Sequence, residues 1–234
     1  MTVLRSALFA LALVLVTPPY AIVALLSFPL PRMARYRLIS AWSRLMLWLA
    51  WVLCGIRWKI EGRKLLPDEP AVILSQHQSA WETLAFQEIF PPQVHVLKRE
   101  LLWLPFFGWG LALMSPIAIN RARGVAAMRE LARKGRERLA QGFWVVIYPE
   151  GTRVPPGQKR AYQQGGAWLA VNCGVPVVPV AHNAGKFWPR NAFLKRAGTV
   201  TVRIGPPIDA ANRDAKTVNE LARTWIEEQQ KALT

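Results

Sequence analysis

Short apolar runs rich in β-branched residues alternate with amphipathic segments from residue 57 onward, a pattern typical of a sheet covered by helices. The apolar runs predict seven strands, at 57–61, 71–74, 94–97, 117–119, 144–148, 177–180 and 200–204. Apolar positions at helical spacing predict helices at 81–90, 125–141, 162–172 and 217–232, and Thr217 with Glu220 gives the last one a capping-box spacing. The predicted fold class is α/β, with a central mixed sheet flanked by helices.

The first 56 residues have a different pattern. No charged residue occurs between positions 7 and 30, a stretch long enough to cross a hydrocarbon core of about 30 Å. Pro18 and Pro19 lie in its middle and are expected to break or kink a helix, because neither has a backbone N–H to donate. We therefore expect a bent pair of helical arms that enters one leaflet and returns; a simple spanning helix and a cleaved signal peptide are the alternatives.

A second apolar helix is predicted between Tyr36 and Cys54, where closely spaced tryptophans are typical of the headgroup boundary. The chain is therefore expected to divide into a membrane-associated helical pair at 1–56 and an αβ domain at 57–234. Whether the helical pair spans the bilayer or lies in one leaflet is left open by the sequence.

Composition adds information about compartment and partners. Of 234 residues, 52% are hydrophobic and 11 are tryptophans, and the mean hydropathy of +0.15 is high for a soluble protein. Thirty Lys and Arg against 14 Asp and Glu give a net charge of +16, which predicts an anionic partner: phospholipid headgroups, a phosphorylated substrate, an acidic protein or nucleic acid. Cys54 and Cys173 lie far apart and form no C-x-x-C motif, which favours a reducing compartment and argues against a structural metal site.

Several common catalytic motifs are missing from the sequence. It has no G-x-S-x-G and no H-E-x-x-H, and the residues before Gly185-Lys186 do not have P-loop spacing. These observations argue against a serine-hydrolase elbow, a zinc enzyme and a nucleotide P-loop, and no metal ligands are predicted. A histidine paired with a carboxylate is the remaining candidate for a catalytic group.

His77 and Glu82 follow the apolar run 71–74 and are five positions apart. On one continuous helix their side chains would point about 140° apart. They can meet only if His77 lies in the turn before a helix and Glu82 in its first turn, with Ser79 as a plausible N-cap. The alternative is a structural hydrogen bond of His77 at a strand end. His95 and His182 have no carboxylate at a comparable spacing, and both are predicted to be structural.

Two further polar clusters also follow predicted strands. Tyr148-Pro149-Glu150-Gly151-Thr152-Arg153 combines a glycine, a hydroxyl and a guanidinium, which together suit phosphate oxygens, although a turn in which Arg153 pairs with Glu150 is equally compatible with the sequence. Asn120-Arg121-Ala122-Arg123 places cations directly after another apolar run. Because ligands of open αβ sheets bind beyond strand ends, we expect these clusters to converge with His77 on one site.

These blocks resemble the glycerolipid acyltransferases, most closely the bacterial 1-acyl-glycerol-3-phosphate acyltransferases. The family pattern is H-x-x-x-x-D, an arginine after a short apolar run, F-P-E-G-T-R-S and V-P-I-V-P-V. This chain has the corresponding blocks in the same order, at His77 to Glu82, Pro116 to Arg121, Tyr148 to Arg153 and Val175 to Val180. The stretch from Lys98 to Leu101 is similar to the family's K-x-E-L.

The resemblance implies transfer of a fatty acyl group from an acyl-CoA or acyl carrier protein thioester to the sn-2 hydroxyl of lysophosphatidic acid, giving phosphatidic acid. It implies no cofactor beyond that co-substrate. His77 would be the general base, oriented by Glu82, and the run 101–114 would either wall an acyl channel or pack in the core. The acceptor's phosphate and glycerol would be bound by Lys98, Arg121, Glu150, Gly151, Thr152 and Arg153, with Glu150 orienting Arg153 or a glycerol hydroxyl.

Three departures from the family pattern bear on the acceptor. Glu82 replaces the usual aspartate, Val154 stands where serine is common, and Tyr162-Gln163-Gln164-Gly165 stands where members often have F-K-x-G. The shared motifs do not fix the acceptor, so one alternative is another lyso-acceptor: a lyso-ornithine lipid, a lysophospholipid or a glycolipid. The basic, membrane-associated character of the chain leaves a second alternative, a non-enzymatic protein that binds anionic lipid or nucleic acid through its basic surface. The acyltransferase hypothesis places the chain at the bacterial inner membrane, in contact with anionic lipids but not nucleic acid, with its catalytic domain on the cytoplasmic side.

Overall fold

All seven predicted strands are present and form one sheet in the computed structural model, which describes residues 1–233 except for the side chain of Arg121. The strands are β1 Ile56–Glu61, β2 Val72–Ser75, β3 Gln93–Lys98, β4 Ile117–Ile119, β5 Trp144–Ile147, β6 Val177–His182 and β7 Gly198–Ile204. Their bounds lie within two residues of the predicted ones. The apolar β-branched runs therefore located the strands well.

The strand order places the predicted polar clusters at one edge of the sheet. The order is β1-β7-β6-β2-β5-β3-β4, and β6, β2, β5, β3 and β4 run parallel to one another. Only β7 is antiparallel to its neighbour β6, while β1 pairs with β7 in parallel. Since parallel neighbours end at the same edge of a sheet, the segments after β2, β3, β4 and β5 all begin on one edge. The sheet is mixed, as predicted.

Helices cover both faces of the sheet. They are α1 Thr2–Leu26, α2 Arg32–Cys54, α3 Trp81–Ile89, α4 Phe107–Leu113, α5 Val125–Ala140, α6 Gly165–Cys173, α7 Ala184–Phe187 and α8 Ala215–Leu233. On one face α1, α2 and α3 contribute to a core that includes Phe9, Met46 and Trp81. On the other face α5, α6 and α8 bury Leu169 and Ile226 against the sheet. The result is a three-layer α/β structure with helices on each side.

The break expected at Pro18 and Pro19 is wrong. Helix α1 continues through both prolines, and the chain reverses later, at 27–31. Each proline removes only its own N–H donor, so two helical bonds are lost while the turns on either side keep theirs. The two carbonyl groups affected by this loss, four residues earlier, belong to Val14 and Leu15. Packing of the buried Ala21 after the prolines helps to hold the helix against its neighbours.

Helices α1 and α2 form a hairpin that shares a core with the sheet. Phe9, Met46 and Ala50 are buried, whereas Val14 and Leu15 on the outer side of α1 are each 63% exposed. Both helices are long and apolar enough to cross a membrane, judged by length and composition alone. The hairpin therefore has one face packed against the protein and one broad apolar face turned outward.

The amino-terminal end of α1 is held by the segment that precedes β7. The buried Ser6 Oγ accepts a hydrogen bond from the backbone N–H of Lys195 at 2.9 Å. The Lys195 ammonium lies over the rings of Phe9, Trp188 and Phe193, with Nζ 5.2–5.8 Å from the three centroids. These contacts join α1 to a distant part of the chain.

The predicted cap of the last helix is also wrong. Helix α8 begins at Ala215, and Asp214 rather than Thr217 supplies the capping oxygen. The Thr217 N–H donates to Asp214 Oδ1 at 2.9 Å, and the Thr217 hydroxyl donates to Oδ2 at 2.8 Å. A carboxylate is a stronger acceptor than a hydroxyl for helix N–H groups, so Asp214 moves the start of the helix two residues earlier than predicted.

Candidate active site

His77 and Glu82 meet in the geometry that their spacing requires. Strand β2 ends at Ser75 and α3 begins at Trp81, so His77 lies in the intervening turn and Glu82 in the first turn of the helix. The distance from His77 Nδ1 to Glu82 Oε1 is 2.8 Å. The His77 side chain is 17% exposed, whereas that of Glu82 is completely buried. A solvent-accessible imidazole is thus bonded to a carboxylate that solvent does not reach.

Glu82 also organises the turn itself. Its Oε1 accepts the N–H groups of Gln78 at 2.9 Å and Ser79 at 2.8 Å, and Ser79 Oγ accepts the N–H of Trp81 at 3.0 Å. Glu82 thus reaches back to the turn before its own helix, as the glutamate of a capping box does, and the S-x-x-E spacing of Ser79 and Glu82 is readable in the sequence. The N-cap residue of α3 is Ala80, so the prediction of Ser79 at this position is wrong by one residue.

The buried environment of Glu82 still favours its charged form. Burial alone would raise the pKa of Glu82, but the hydrogen bond to His77 and the Ser79 amide lower it below the usual value. Burial lowers the pKa of His182. The Nε2 of this ring donates to the Gln76 carbonyl at 3.0 Å, and its Nδ1 accepts the Ala184 N–H. These two bonds fit a neutral His182.

The segment after β5 holds both backbone groups of His77. Glu150 Oε2 accepts the His77 N–H at 2.8 Å, and the His77 carbonyl accepts the Val154 N–H at 2.6 Å. Glu150 is 5% exposed, and burial, with a further contribution from the charge of Glu82, raises its pKa to about 8. Among the described residues, no ion pair joins Glu150 to Arg153, so the pairing that the sequence suggested is wrong. Its carboxyl group instead contacts the backbone of His77.

Aromatic rings line the other side of His77. The Tyr148 ring stacks on the imidazole with centroids 4.1 Å apart and an interplanar angle of 16°. His95 lies on Tyr148 as well, with centroids 5.8 Å apart at 12°. Tyr148 is 8% exposed, and burial raises its pKa well above the usual value while the charge of Arg153 opposes that rise. His95 is partly buried, and burial lowers its pKa to about 4.

The remaining predicted site residues follow strands on the same edge of the sheet. Gly151 has a φ of +71° and donates its N–H to the Tyr148 carbonyl at 3.0 Å, which closes the turn before the half-exposed Thr152 and Arg153. Lys98 is the exposed last residue of β3. The backbone of Arg121 follows β4, and its side chain lies outside the described part of the structure.

Two cavities adjoin the site. A cleft of about 760 Å³ between α5 and α6 is lined at one end by residues 148–151. A narrow apolar cavity of about 90 Å³ lies between α1, α2, α3 and α4 and reaches His95. A larger groove of about 930 Å³ along α8 contains none of the predicted site residues whose side chains the structure describes. Residues 148–151 therefore line the 760 Å³ cleft, and the 90 Å³ cavity reaches the site through His95, which stacks on Tyr148.

Known proteins resemble this chain in sequence. A family model described as Acyltransferase matches residues 57–183. The 1-acyl-sn-glycerol-3-phosphate acyltransferase of Pseudomonas aeruginosa is 48% identical over 203 residues, which cover 85% of this chain and 79% of that protein. The 1-acyl-sn-glycerol-3-phosphate acyltransferase beta of Homo sapiens is 34% identical over 173 residues, which cover 73% of this chain and 62% of that protein.

A solved structure shares the fold. The crystal structure of the 1-acyl-sn-glycerophosphate acyltransferase from Thermotoga maritima matches with a TM-score of 0.77 and 22% sequence identity, covering 98% of this chain and 96% of that one. The family model spans more than half of the chain, and the resemblance drawn from the sequence motifs is confirmed. The chain belongs to the acyltransferase family.

Proposed function

We propose that this protein transfers a fatty acyl group from a thioester donor, acyl-CoA or acyl carrier protein, to the sn-2 hydroxyl of lysophosphatidic acid. His77 is the general base and Glu82 orients it. The observation that carries the proposal is the 2.8 Å contact between His77 Nδ1 and Glu82 Oε1, because it leaves Nε2 as the nitrogen that faces a substrate.

The proposed chemistry is a single acyl transfer. His77 Nε2 takes the proton of the acceptor hydroxyl while the hydroxyl oxygen attacks the thioester carbonyl carbon, and positioned proton removal of this kind typically contributes about 100- to 10,000-fold. The new C–O bond forms, the C–S bond breaks, and the departing thiolate takes the proton from the imidazolium. Glu82 stabilises that imidazolium, which suits a buried carboxylate with a lowered pKa.

Cations at the same edge of the sheet would bind the phosphate of the acceptor. The charge of Arg153 acts on Tyr148, which stacks on His77. Lys98 and Arg121 follow neighbouring strands, and Gly151 and Thr152 line the approach. A guanidinium and an ammonium are the usual side chains for phosphate oxygens. The apolar cavity at His95 would take the inner end of an acyl chain.

The proposed location is the cytoplasmic side of a bacterial inner membrane, with the α1–α2 hairpin in contact with lipid. Lyso-acceptor and product are lipids, while the thioester arrives from water, so an active site held next to an apolar helical hairpin receives both substrates. The net charge of +16 favours contact with anionic lipids.

A detergent-solubilised assay tests the proposal. Purified protein is given lysophosphatidic acid with acyl-CoA or acyl carrier protein in separate reactions, beside a panel of lyso-ornithine lipid, lysophospholipid and glycolipid acceptors. We expect phosphatidic acid from wild type and loss of nearly all turnover in His77→Ala with retained membrane binding. Preference for another acceptor would redirect the proposal, and unchanged turnover in His77→Ala would exclude this mechanism.

A further inference from the structure

We infer that the segment from Tyr148 to Val154 positions the catalytic base, with Tyr148 and Glu150 acting as positioning residues for His77. This inference rests on the proposed function, because it assumes that His77 is the base. It differs from the role expected for Glu150, which was contact with the acceptor or with Arg153. It also gives Tyr148 a role that its motif position alone did not indicate.

The backbone contacts are the first part of the argument. His77 lies in the short turn between β2 and α3, where no sheet or helix bond holds its N–H and C=O groups. Glu150 accepts from the N–H at 2.8 Å, and Val154 donates to the carbonyl at 2.6 Å. Both partners come from the segment after β5, which pairs with β2. The peptide groups on the two sides of His77 are thus held by one neighbouring segment.

The ring contact is the second part. Glu82 fixes Nδ1, but one hydrogen bond leaves the imidazole free to tilt about the line between the two atoms. The Tyr148 ring, 4.1 Å away and within 16° of parallel, restricts that tilt. Tyr148 is itself 8% exposed and is flanked by His95 and Phe86, so it has little freedom to move. The plane of the imidazole, and hence the direction of Nε2, is therefore set by Tyr148.

The direction of His77 Nε2 matters because this atom can take the proton only through a short, aligned contact with the acceptor hydroxyl. A misplacement of about 1 Å is enough to lower turnover by about 100-fold. A positioning role predicts a fall in kcat at nearly constant KM. Contact between Glu150 and the acceptor predicts the opposite pattern, a higher KM for lysophosphatidic acid at nearly constant kcat.

The first test compares Tyr148→Leu with Tyr148→Phe in the detergent assay. We expect Tyr148→Leu to lower kcat about 10- to 100-fold with KM for lysophosphatidic acid within about twofold. Tyr148→Phe keeps the ring and should restore kcat to within about threefold of wild type, since a conservative variant retains the stacking surface. The matched control is Phe143→Leu, which truncates a buried aromatic just before β5, at the end of the strand opposite Tyr148. A kcat of Tyr148→Leu equal to that of Phe143→Leu would overturn the role of Tyr148.

The second test compares Glu150→Ala with Glu150→Gln. The glutamine keeps an oxygen that can accept the His77 N–H, whereas alanine removes it. We expect kcat to fall about 10- to 100-fold in Glu150→Ala and less than about fivefold in Glu150→Gln, with KM nearly constant in both. A raised KM with normal kcat would overturn the role of Glu150 and assign it to acceptor binding.

Wild type and His77→Ala are assayed in parallel to separate the two proposals. If wild type does not acylate lysophosphatidic acid, the proposed function fails. If wild type is active and His77→Ala is inactive, but Tyr148→Leu and Glu150→Ala keep normal kcat, then only the positioning inference fails. Unfolding temperatures of all variants identify any that have lost their fold, and the conservative partners Tyr148→Phe and Glu150→Gln then supply the comparison.

Discussion

Glu82 contacts His77 through the same oxygen, Oε1, that accepts the N–H groups of the turn. The length of the glutamate side chain is therefore matched to this turn. We expect Glu82→Asp, although it restores the residue common in the family, to lower kcat about 10- to 100-fold, because the shorter side chain cannot reach all three donors without moving the turn. Steady-state kinetics check this, and wild-type turnover in Glu82→Asp would contradict it.

The Glu82→Gln variant removes the charge of this side chain while keeping its length. Glutamine has the same reach, but it carries no charge to stabilise the imidazolium that forms as His77 takes the proton. We expect kcat to fall on the order of 100- to 10,000-fold, more than for Glu82→Asp. If the two variants were equally active, or if Glu82→Gln were the better enzyme, the carboxylate would serve only to hold the turn.

The raised pKa of Glu150 predicts a pH dependence of stability. Its pKa rises from 4.5 to about 8 on folding, so between these values the folded protein holds a proton that the unfolded chain has lost. The contribution of Glu150 to stability is therefore fully present below pH 4.5 and is lost as pH rises through 8. Relative to Glu150→Gln, wild type should lose up to about 1.4 kcal/mol per pH unit in this window.

Unfolding in detergent at several pH values between 5 and 9 measures this effect. The quantity of interest is the difference in free energy of unfolding between wild type and Glu150→Gln, in which the groups common to both proteins cancel. Parallel curves for the two proteins would show that Glu150 titrates near its ordinary value.

Helix α6 depends on a close approach at Gly166. A Cβ at this position would lie 2.4 Å from Leu74 Cδ2 and 3.3 Å from Ile147 Cγ2, and both neighbours are buried in the sheet. At the adjacent Gly165 the nearest atom would be 3.4 Å away, on Leu131. We expect Gly166→Ala to destabilise the protein by about 1–3 kcal/mol. Gly165→Ala is the matched control, with an expected change of about 1 kcal/mol or less. Equal thermal stability of the two variants would refute the steric argument.

The bond between Ser6 and Lys195 should contribute to docking of α1. Ser6→Ala leaves the buried N–H of Lys195 without its acceptor, which typically costs about 1–3 kcal/mol. Leu11→Ala is a control on the same helix, since Leu11 is 54% exposed. Thermal unfolding and limited proteolysis in detergent are the measurements. A larger effect for Leu11→Ala than for Ser6→Ala would show that the outer face, rather than this contact, holds the helix.

Local features of this fold could be predicted from the sequence, whereas the particular contacts between distant segments could not. The strands were located because each is a short apolar run between polar segments, and the His77–Glu82 pair was found because both residues belong to one strand–turn–helix unit. The contact between Glu150 and His77 joins residues 73 positions apart. It depends on β5 lying beside β2, and pairing partners are not encoded in the apolar pattern of either strand.

Helix boundaries were also harder to predict from the sequence than strand positions. Helix α6 starts at Gly165 rather than at 162, because the Gln163 N–H donates to the Pro149 carbonyl and keeps that part of the segment out of the helix. Helix α4 was not predicted because it contains Gly108 and Gly110, which weaken a helical pattern. A Cβ at Gly108 would lie 2.5 Å from the Leu102 carbonyl oxygen, so the glycine permits a tight turn into the helix. A contact with the segment after β5 decides where α6 begins, and a tight local turn decides where α4 begins.

The shared core of the hairpin and the sheet limits how this enzyme can be made water-soluble. Deleting residues 1–54 would uncover the apolar surface that Phe9, Met46 and Ala50 now cover, and the remaining fragment would be expected to aggregate. Redesign of the outward side of α1, at positions such as Val14 and Leu15, keeps every inward contact. Polar substitution there, rather than truncation, is the route to a soluble variant for spectroscopy or crystallisation.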